Sequence, residues 1–308
     1  MQPETNNART TLLFPENDHL LRMTLMGGQA RVLMCRTTRL TQQAADIHQA
    51  SDVATTAMGR MLTASAMLSC LLDLPQGSIT ATAAGDGVGG RITVVANGGD
   101  LKIAVDNPQA ELPLRADGRQ DVAAFVGKGQ LSVVKDLGKG EPSIGISEMK
   151  SGELGEDFAH YFATSEQTPS LVALGCLNQA GTVLSAGGIL LQAMPGCTNE
   201  VIDQLEIREP FFSNISREIY DRSLRQLAET WFEGLEPVIV GEYPLRLHCN
   251  CATRMERALM ALPRADLEEL AASSEDTIMT CHFCRAEHHF TPAQIRSLLP
   301  SAANGASK

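Results

Sequence analysis

Two cysteine pairs near the end of the chain, Cys249-Asn250-Cys251 and Cys281-His282-Phe283-Cys284, are separated by 29 residues. A C-x-C facing a C-x-x-C supplies four thiolates from two short turns, the donor set of a closed tetrahedral zinc site. The segment between them must fold back so that the motifs meet. The same sulfurs form two close dithiols, so redox chemistry is open to them when no metal is held.

Composition sets the context. With 308 residues, 44% of them apolar, the chain has room for two domains, or a large one and a small one. Aromatics make up 4%, with one Trp, so the core must rest on aliphatic side chains and the 12 Met. A formal net charge of −11 is repelled by phosphate backbones and anionic bilayers, so neither nucleic acid nor membrane is an expected partner. Residues 246–290 hold five arginines against seven carboxylates, which argues the same for the cysteine segment. Met1-Gln2-Pro3-Glu4 has no basic start leading into an apolar run, and no stretch of about 18 apolar residues occurs. With eight cysteines and no such leader, the expected compartment is the reducing cytoplasm, where functional thiols are metal ligands or sensors rather than structural disulfides. Cys35, Cys70 and Cys176 lie in apolar runs and read as buried core thiols. Cys197, after Pro195-Gly196, reads as an exposed turn residue without a role.

The expected fold class is α+β. An N-terminal mixed sheet-and-helix domain spans residues 1–195, a helical linker 196–243, a small C-terminal four-cysteine zinc domain 244–299, and a disordered tail 300–308. A strand over 29–37 precedes a Thr-Gln-rich break. Ser51 caps an apolar helix over 52–72 that Pro75-Gln76-Gly77 ends. Strands follow at 78–84, 91–96, 101–105, 130–137, 143–149, 171–177 and 183–194, with Asn97-Gly98-Gly99-Asp100 as a hairpin turn. Helices are expected at 121–126 and 153–165. From 198 to 231 the pattern is helical, with Val201, Ile202, Leu205, Ile207, Ile215, Ile219, Leu224 and Leu227 forming an apolar stripe. Residues 198–241 carry nine acidic residues against four arginines, so the other face is solvated and the stripe needs a partner surface. The cysteine segment reads as a helix over 256–262, a second from Pro263 through Ala272, a strand at 277–280, and a last helix with Thr291 as cap and Pro292 at its first position.

Other motifs carry less. Gly85-Asp86-Gly87-Val88-Gly89-Gly90 satisfies G-x-G-x-x-G but leads into a strand, whereas a pyrophosphate site needs a helix N-terminus. It reads as a turn between strands. His248 or His289 could replace one thiolate, but four cysteines already complete a tetrahedron. There is no G-x-S-x-G, no H-E-x-x-H and no carboxylate pair singled out by spacing, so an enzyme is not expected. Three readings of the cysteines stand: a redox switch, a structural zinc protein with a constitutive binding role, and a thiol oxidoreductase using Cys281 and Cys284. A catalytic C-x-x-C usually opens a helix, whereas this one follows an expected strand. Metal-bound thiolates stay nucleophilic, and zinc contributes on the order of 10–16 kcal/mol to the folding of small zinc peptides, so losing it should unfold so small a module.

Taken in order, these features resemble the bacterial redox-regulated holdase family called heat-shock protein 33. The likeness rests on the Gly85-Asp86-Gly87 turn, the segment Tyr161-Phe162-Ala163-Thr164-Ser165-Glu166-Gln167, the strand Gly187-Gly188-Ile189-Leu190-Leu191-Gln192-Ala193-Met194-Pro195, the helical connector and the two cysteine motifs. It covers roughly residues 12–298. The resemblance implies that Cys249, Cys251, Cys281 and Cys284 hold one zinc ion in a reduced, inactive protein. It implies that oxidation releases zinc, forms the disulfides Cys249–Cys251 and Cys281–Cys284, and unfolds zinc domain and connector. The uncovered surface would bind unfolding client proteins without ATP, and the oxidised form would be a homodimer. Family members commonly follow the C-x-C with Ser and, after one residue, Glu-Arg. Here the chain reads Ala252-Thr253-Arg254-Met255-Glu256-Arg257, so different groups are expected around the ligand sulfurs.

Overall fold

A computed structural model of the chain describes residues 17–72 and 77–299. The N-terminal tetrapeptide, the Pro75-Gln76 helix stop and the 300–308 tail lie outside the described residues. The chain divides into two compact units, one up to Leu247 and one from His248.

The first unit begins with a hairpin of β1 (His19–Leu25) and β2 (Ala30–Arg36), followed by α1 (Thr38–His48) and α2 (Asp52–Cys70). A meander of β3 (Ser78–Gly85), β4 (Arg91–Asn97) and β5 (Asp100–Val105) leads to the short α3 (Val122–Val126). Then come β6 (Gly129–Asp136), β7 (Ser143–Met149), α4 (Leu154–Thr164), β8 (Ser170–Gln179) and β9 (Thr182–Ala193). Three helices follow, α5 (Asn199–Glu206), α6 (Ile215–Asp221) and α7 (Leu224–Trp231), and the unit closes with β10 (Val238–Pro244) and β11 (Arg246–Leu247). One sheet has the order β10-β1-β2-β9-β8 and the other β11-β5-β4-β3-β6-β7. Every pairing is antiparallel except β11 on β5.

Helix α2 lies between the sheets, and fifteen of its nineteen residues are buried, so it has no solvent face. Two of its threonines bond back to the helix: Thr56 and Thr63 donate to the carbonyls of Asp52 and Gly59. Alternation splits the five-stranded sheet into two apolar faces. Leu20, Leu33 and Cys35 join the core around α2. Leu21, Met23, Leu25, Val32, Met34, Ile189 and Leu191 pack instead against α5, α6 and α7 through Val201, Leu205, Ile215, Ile219, Leu224, Leu227 and Trp231. The partner of most of the apolar stripe of 198–231 is therefore the back of this sheet, whereas Ile202 and Ile207, expected in the stripe, are exposed because they lie on the other side of α5 and at its end. At Gly187 a Cβ would stand 2.6 Å from Ile219 Cδ1 and 2.2 Å from the Cys35 carbonyl oxygen, so glycine there lets α6 sit directly on β9.

Five elements differ from the sequence expectations, two of them, β11 and the strand Glu287–Phe290, being short strands that went unread. The 38–48 segment, read as a break, is α1. Its first turn is capped from a distance by Asp18, whose carboxylate accepts from Arg39 N (3.2 Å) and Leu40 N (2.6 Å). β1 went unread, and residues 238–243, read as the end of a helical linker, form with Pro244 the strand β10, paired with β1. The β-branched run Val238-Ile239-Val240 completes a sheet edge once Pro237 has ended the helical pattern. The G-x-G-x-x-G segment is a strand-to-strand turn as expected. Its donors are spent internally, Gly87 N to Val126 O (3.1 Å) and Gly89 N to Phe125 O (2.8 Å), and a Cβ at Gly87 would lie 2.4 Å from Phe125 O. The glycines serve close approach to α3, not a phosphate.

The second unit consists of α8 (Cys251–Met260), α9 (Arg264–Ala272), the hairpin of β12 (Thr277–Thr280) and β13 (Glu287–Phe290), and α10 (Pro292–Leu298). Thr291 and Gln294 form a reciprocal capping box at the start of α10. The core contains eight buried side chains, Cys251, Met255, Leu259, Leu267, Ala271, Cys281, Phe290 and Ile295, two of them cysteines of the candidate site.

Candidate metal centre

The two cysteine motifs arrive on different local structures. Cys249 precedes α8, and Cys251 is its first residue. Cys281 and Cys284 frame the turn between β12 and β13. That turn is closed by Arg285 N donating to Cys281 O (2.9 Å) and Cys281 N donating to Ala286 O (2.9 Å), with Arg285 in the left-handed region at φ 57°. The tight turn points the N–H groups of Phe283 and Cys284 at the Cys281 sulfur.

The four Sγ atoms lie within 4.8 Å of one another and could hold a metal ion. Cys251 and Cys281 are buried, and Cys249 and Cys284 are half-buried. Two contacts run across the motifs, Cys249 Sγ to Cys281 Sγ at 3.8 Å and Cys251 Sγ to Cys284 Sγ at 3.5 Å. Burial pushes the Cys281 thiol up, but hydrogen bonds from the N–H groups of Cys284 and Phe283 outweigh it and draw the group down to about 7. Burial and then the Cys281 sulfur push Cys249 up to about 12. Burial and the Cys284 sulfur push Cys251 up as well. A thiol ligates only after losing its proton, so a captured metal must displace protons that Cys249 and Cys251 hold at neutral pH. Retention therefore strengthens as pH rises and fails as it falls. Lowering the pH from about 8 to about 4 in weak buffer is expected to release the ion together with proton uptake, both followed in one titration.

Two side chains beside the sulfurs went unread in the sequence. His288 Nε2 lies 3.1 Å from Cys251 Sγ, and Arg254 Nη2 lies 3.9 Å from Cys249 Sγ and 3.7 Å from Cys281 Sγ. The histidines considered as substitutes are placed elsewhere: His289 faces Glu287 at 3.7 Å, and His248 is exposed. Strand alternation explains the exchange, because adjacent residues of β13 point to opposite faces. Of the residues that replace the common family pattern, Ala252 and Glu256 are exposed, and Arg254 reaches the sulfurs.

The remaining cysteines lie in the first unit. Cys35 is fully buried, and burial raises its thiol well above the usual range. Cys176 is pushed up to about 12, chiefly by burial. Cys70, Cys176 and Cys197 are half-buried, so neither a closed core for the first two nor an exposed turn for Cys197 is what the fold provides. The segment that begins at Tyr161 is a packing device: Tyr161 donates to Glu166, which also takes Lys135 as an ion-pair partner, tying α4 to β6. Among the described residues, no helix is long and apolar enough to cross a membrane.

Comparisons with known proteins agree with this architecture. The family described as Hsp33 protein matches residues 18–291. The 33 kDa chaperonin of Ruminiclostridium cellulolyticum is 38% identical over 285 residues, 92% of this chain and 98% of that protein. The 33 kDa chaperonin of Staphylococcus aureus (strain Newman) is 36% identical, covering 93% of this chain and 99% of its own length. The crystal structure of the 33 kDa chaperonin from Thermotoga maritima superposes with a TM-score of 0.85 at 26% identity, over 92% of this chain and 98% of that one. With the family's match spanning both units and these relatives aligned almost end to end, the chain belongs to the Hsp33 family.

Proposed function

We propose that this chain is a redox-controlled, ATP-independent holdase chaperone whose switch is the four-cysteine centre. The observation that carries the reading is the composition of the second unit's core, where two of eight buried side chains are themselves candidate ligands. So small an apolar cluster cannot hold about 50 residues folded without a further cross-link.

The donor set fits zinc. A tetrahedron with Zn–S bonds of about 2.3 Å has S···S edges of about 3.8 Å, and the two cross-motif contacts are 3.8 and 3.5 Å. Cys249, Cys251, Cys281 and Cys284 would hold the ion, which when bound keeps all four as thiolates and cross-links α8 to the β12–β13 turn. Oxidation takes the electron pairs that bind it. One thiolate of a pair attacks peroxide, the O–O bond breaks to leave a sulfenic acid and hydroxide, and the second thiolate attacks the sulfenic sulfur, forming the S–S bond as a second hydroxide leaves. Each pair thus loses two electrons and reduces one peroxide to two waters, with two protons taken from solvent. Pairing within motifs, Cys249–Cys251 and Cys281–Cys284, leaves the motifs free to separate. The family resemblance implies this pairing, whereas pairing along the short cross-motif contacts would staple the motifs together as the metal does.

The client surface in this reading is the back of the five-stranded sheet. Leu21, Met23, Met34, Ile189 and their neighbours lie under α5–α7, and a large apolar side chain exposed there is worth about 1.5–3 kcal/mol to a partner that buries it. The chain runs from β10 to Cys249 through Leu245, β11 and His248 alone, so loss of order after Cys249 begins next to the strand that ends this segment. The family name of the relatives, chaperonin, supports the same activity. The proposed working form is a homodimer in the cytoplasm.

Trp231 makes the test direct. It is the sole tryptophan and lies 4% exposed in the cover, edge-on to Phe212 at 5.1 Å. Peroxide added to zinc-loaded protein should release zinc, then red-shift Trp231 emission, then suppress light scattering from an aggregating client. Non-reducing peptide maps should show the within-motif disulfides. Suppression that oxidation leaves unchanged would sink the switch, and turnover of a dithiol substrate would favour an oxidoreductase.

A further inference from the structure

We infer that Arg254 is the counter-ion of the sulfur cluster and selects by charge which electrophiles reach Cys249 and Cys281. The inference rests on the metal reading above and adds a gatekeeper to that site.

Arg254 stands in the first turn of α8, three residues after Cys251. Helical side chains lean toward the N-terminus, which carries this one back over the cysteines. Its Nη2 touches one sulfur from each motif, Cys249 at 3.9 Å and Cys281 at 3.7 Å. The guanidinium carbon lies 5.2 Å from the centre of the Phe283 ring, inside the C-x-x-C turn, so a cation–π contact fixes the head group on the same side. The residue is half-buried, and its planar guanidinium is a delocalised cation. The other sulfur pair has a different neighbour, with His288 against Cys251. The two halves of the cluster are therefore unlike. One half carries a permanent cation shared between the motifs.

Four thiolates around a divalent ion leave a net charge of −2, which repels anionic reagents. A fixed guanidinium beside two of the sulfurs offsets this locally, so an anion approaching Cys249 or Cys281 meets a less hostile field than one approaching Cys251 or Cys284. Neutral reagents are indifferent to it. The same contact ties the motifs together and so supports retention of the ion.

The test uses the full-length, zinc-loaded chain and two alkylating agents of similar size, anionic iodoacetate and neutral iodoacetamide. In both reactions the sulfur forms an S–C bond as the C–I bond breaks and iodide leaves. Peptide mass spectrometry gives rates at each cysteine. At low ionic strength the iodoacetate-to-iodoacetamide rate ratio at Cys249 and Cys281 is expected to fall about 3- to 10-fold in Arg254→Gln. It should stay near wild type in Arg254→Lys and collapse toward the Arg254→Gln value when salt is added to the wild type. Changes in thiolate fraction cancel in the ratio, so a packing role alone would not move it. Zinc affinity, read against a chromophoric chelator, should weaken about 10- to 100-fold in Arg254→Gln. If Arg254→Gln does not load zinc, the salt response of wild type and Arg254→Lys decides. Equal, salt-insensitive ratios overturn the inference while leaving the metal reading intact. A wild-type chain that retains no zinc overturns both.

Discussion

Replacing Cys281 by serine is expected to cost the second unit both its metal and its fold. Cys281 is the fully buried member of the cluster, bonded at its sulfur by two backbone N–H groups and packed in the eight-residue core. Structural zinc contributes on the order of 10–16 kcal/mol across four ligands, so losing one weakens binding by about 10²–10³-fold. The core that remains cannot make up the difference. Chelator competition should report the loss of affinity, and hydrogen exchange should show α8–α10 exchanging freely. The core around α2 should keep its protection, whereas β10, β11 and the α5–α7 cover, which the proposed switch releases, should lose theirs. Full protection of α8–α10 in metal-free Cys281→Ser protein would show that this unit folds without the ion and would remove the latch from the mechanism.

Leu227→Asp is expected to separate uncovering from oxidation. Leu227 is fully buried on α7 against the back of the five-stranded sheet. Holding an unpaired carboxylate there costs well over ~4 kcal/mol, more than three short helices can retain, so the cover should undock instead. The variant should keep its zinc, show red-shifted Trp231 emission under reducing conditions, and suppress client aggregation without oxidant. A variant with the cover displaced and zinc retained, but with no suppression, would place the client surface elsewhere. The exposed strand edges that carry Ile144, Ile146, Val238 and Val240 would then be the next surfaces to probe.

The two results bear on different links. The first concerns whether the ion holds the second unit, and the second whether the covered sheet is what a client meets. Together with acid release of the metal and the peroxide series, they order the events from sulfur to surface.

Much of this was open to reading from the chain. The spacing of the cysteines predicted that two motifs would meet, because only a turn of that length points two sulfurs at one spot. Strand alternation and hairpin glycines located the meander, and Ser51 and Thr291 marked helix starts that the structure keeps, with side chains accepting from Ala54 N and Gln294 N. The apolar stripe of 198–231 stated that the segment needed a partner.

What was hidden depends on groups far apart in sequence. Helix α1 is rich in Thr and Gln and is started by a carboxylate 21 and 22 residues before the amides it caps. No local pattern signals such a cap. β10 exists because β1 offers it an edge, and β1 is a strand because β2 and β10 flank it. Whether His288 or His289 faces the sulfurs was settled by the register of β12 on β13, and Arg254 reaches Cys281 only because the chain between them doubles back. Sequence by itself determined the chemistry, four soft donors and an amphipathic cover, because side-chain identity and local periodicity are carried by each residue and its near neighbours. The tertiary structure alone decided what the cover hides and which charges surround the sulfurs, because burial and electrostatics are set by whatever the fold brings within a few ångströms.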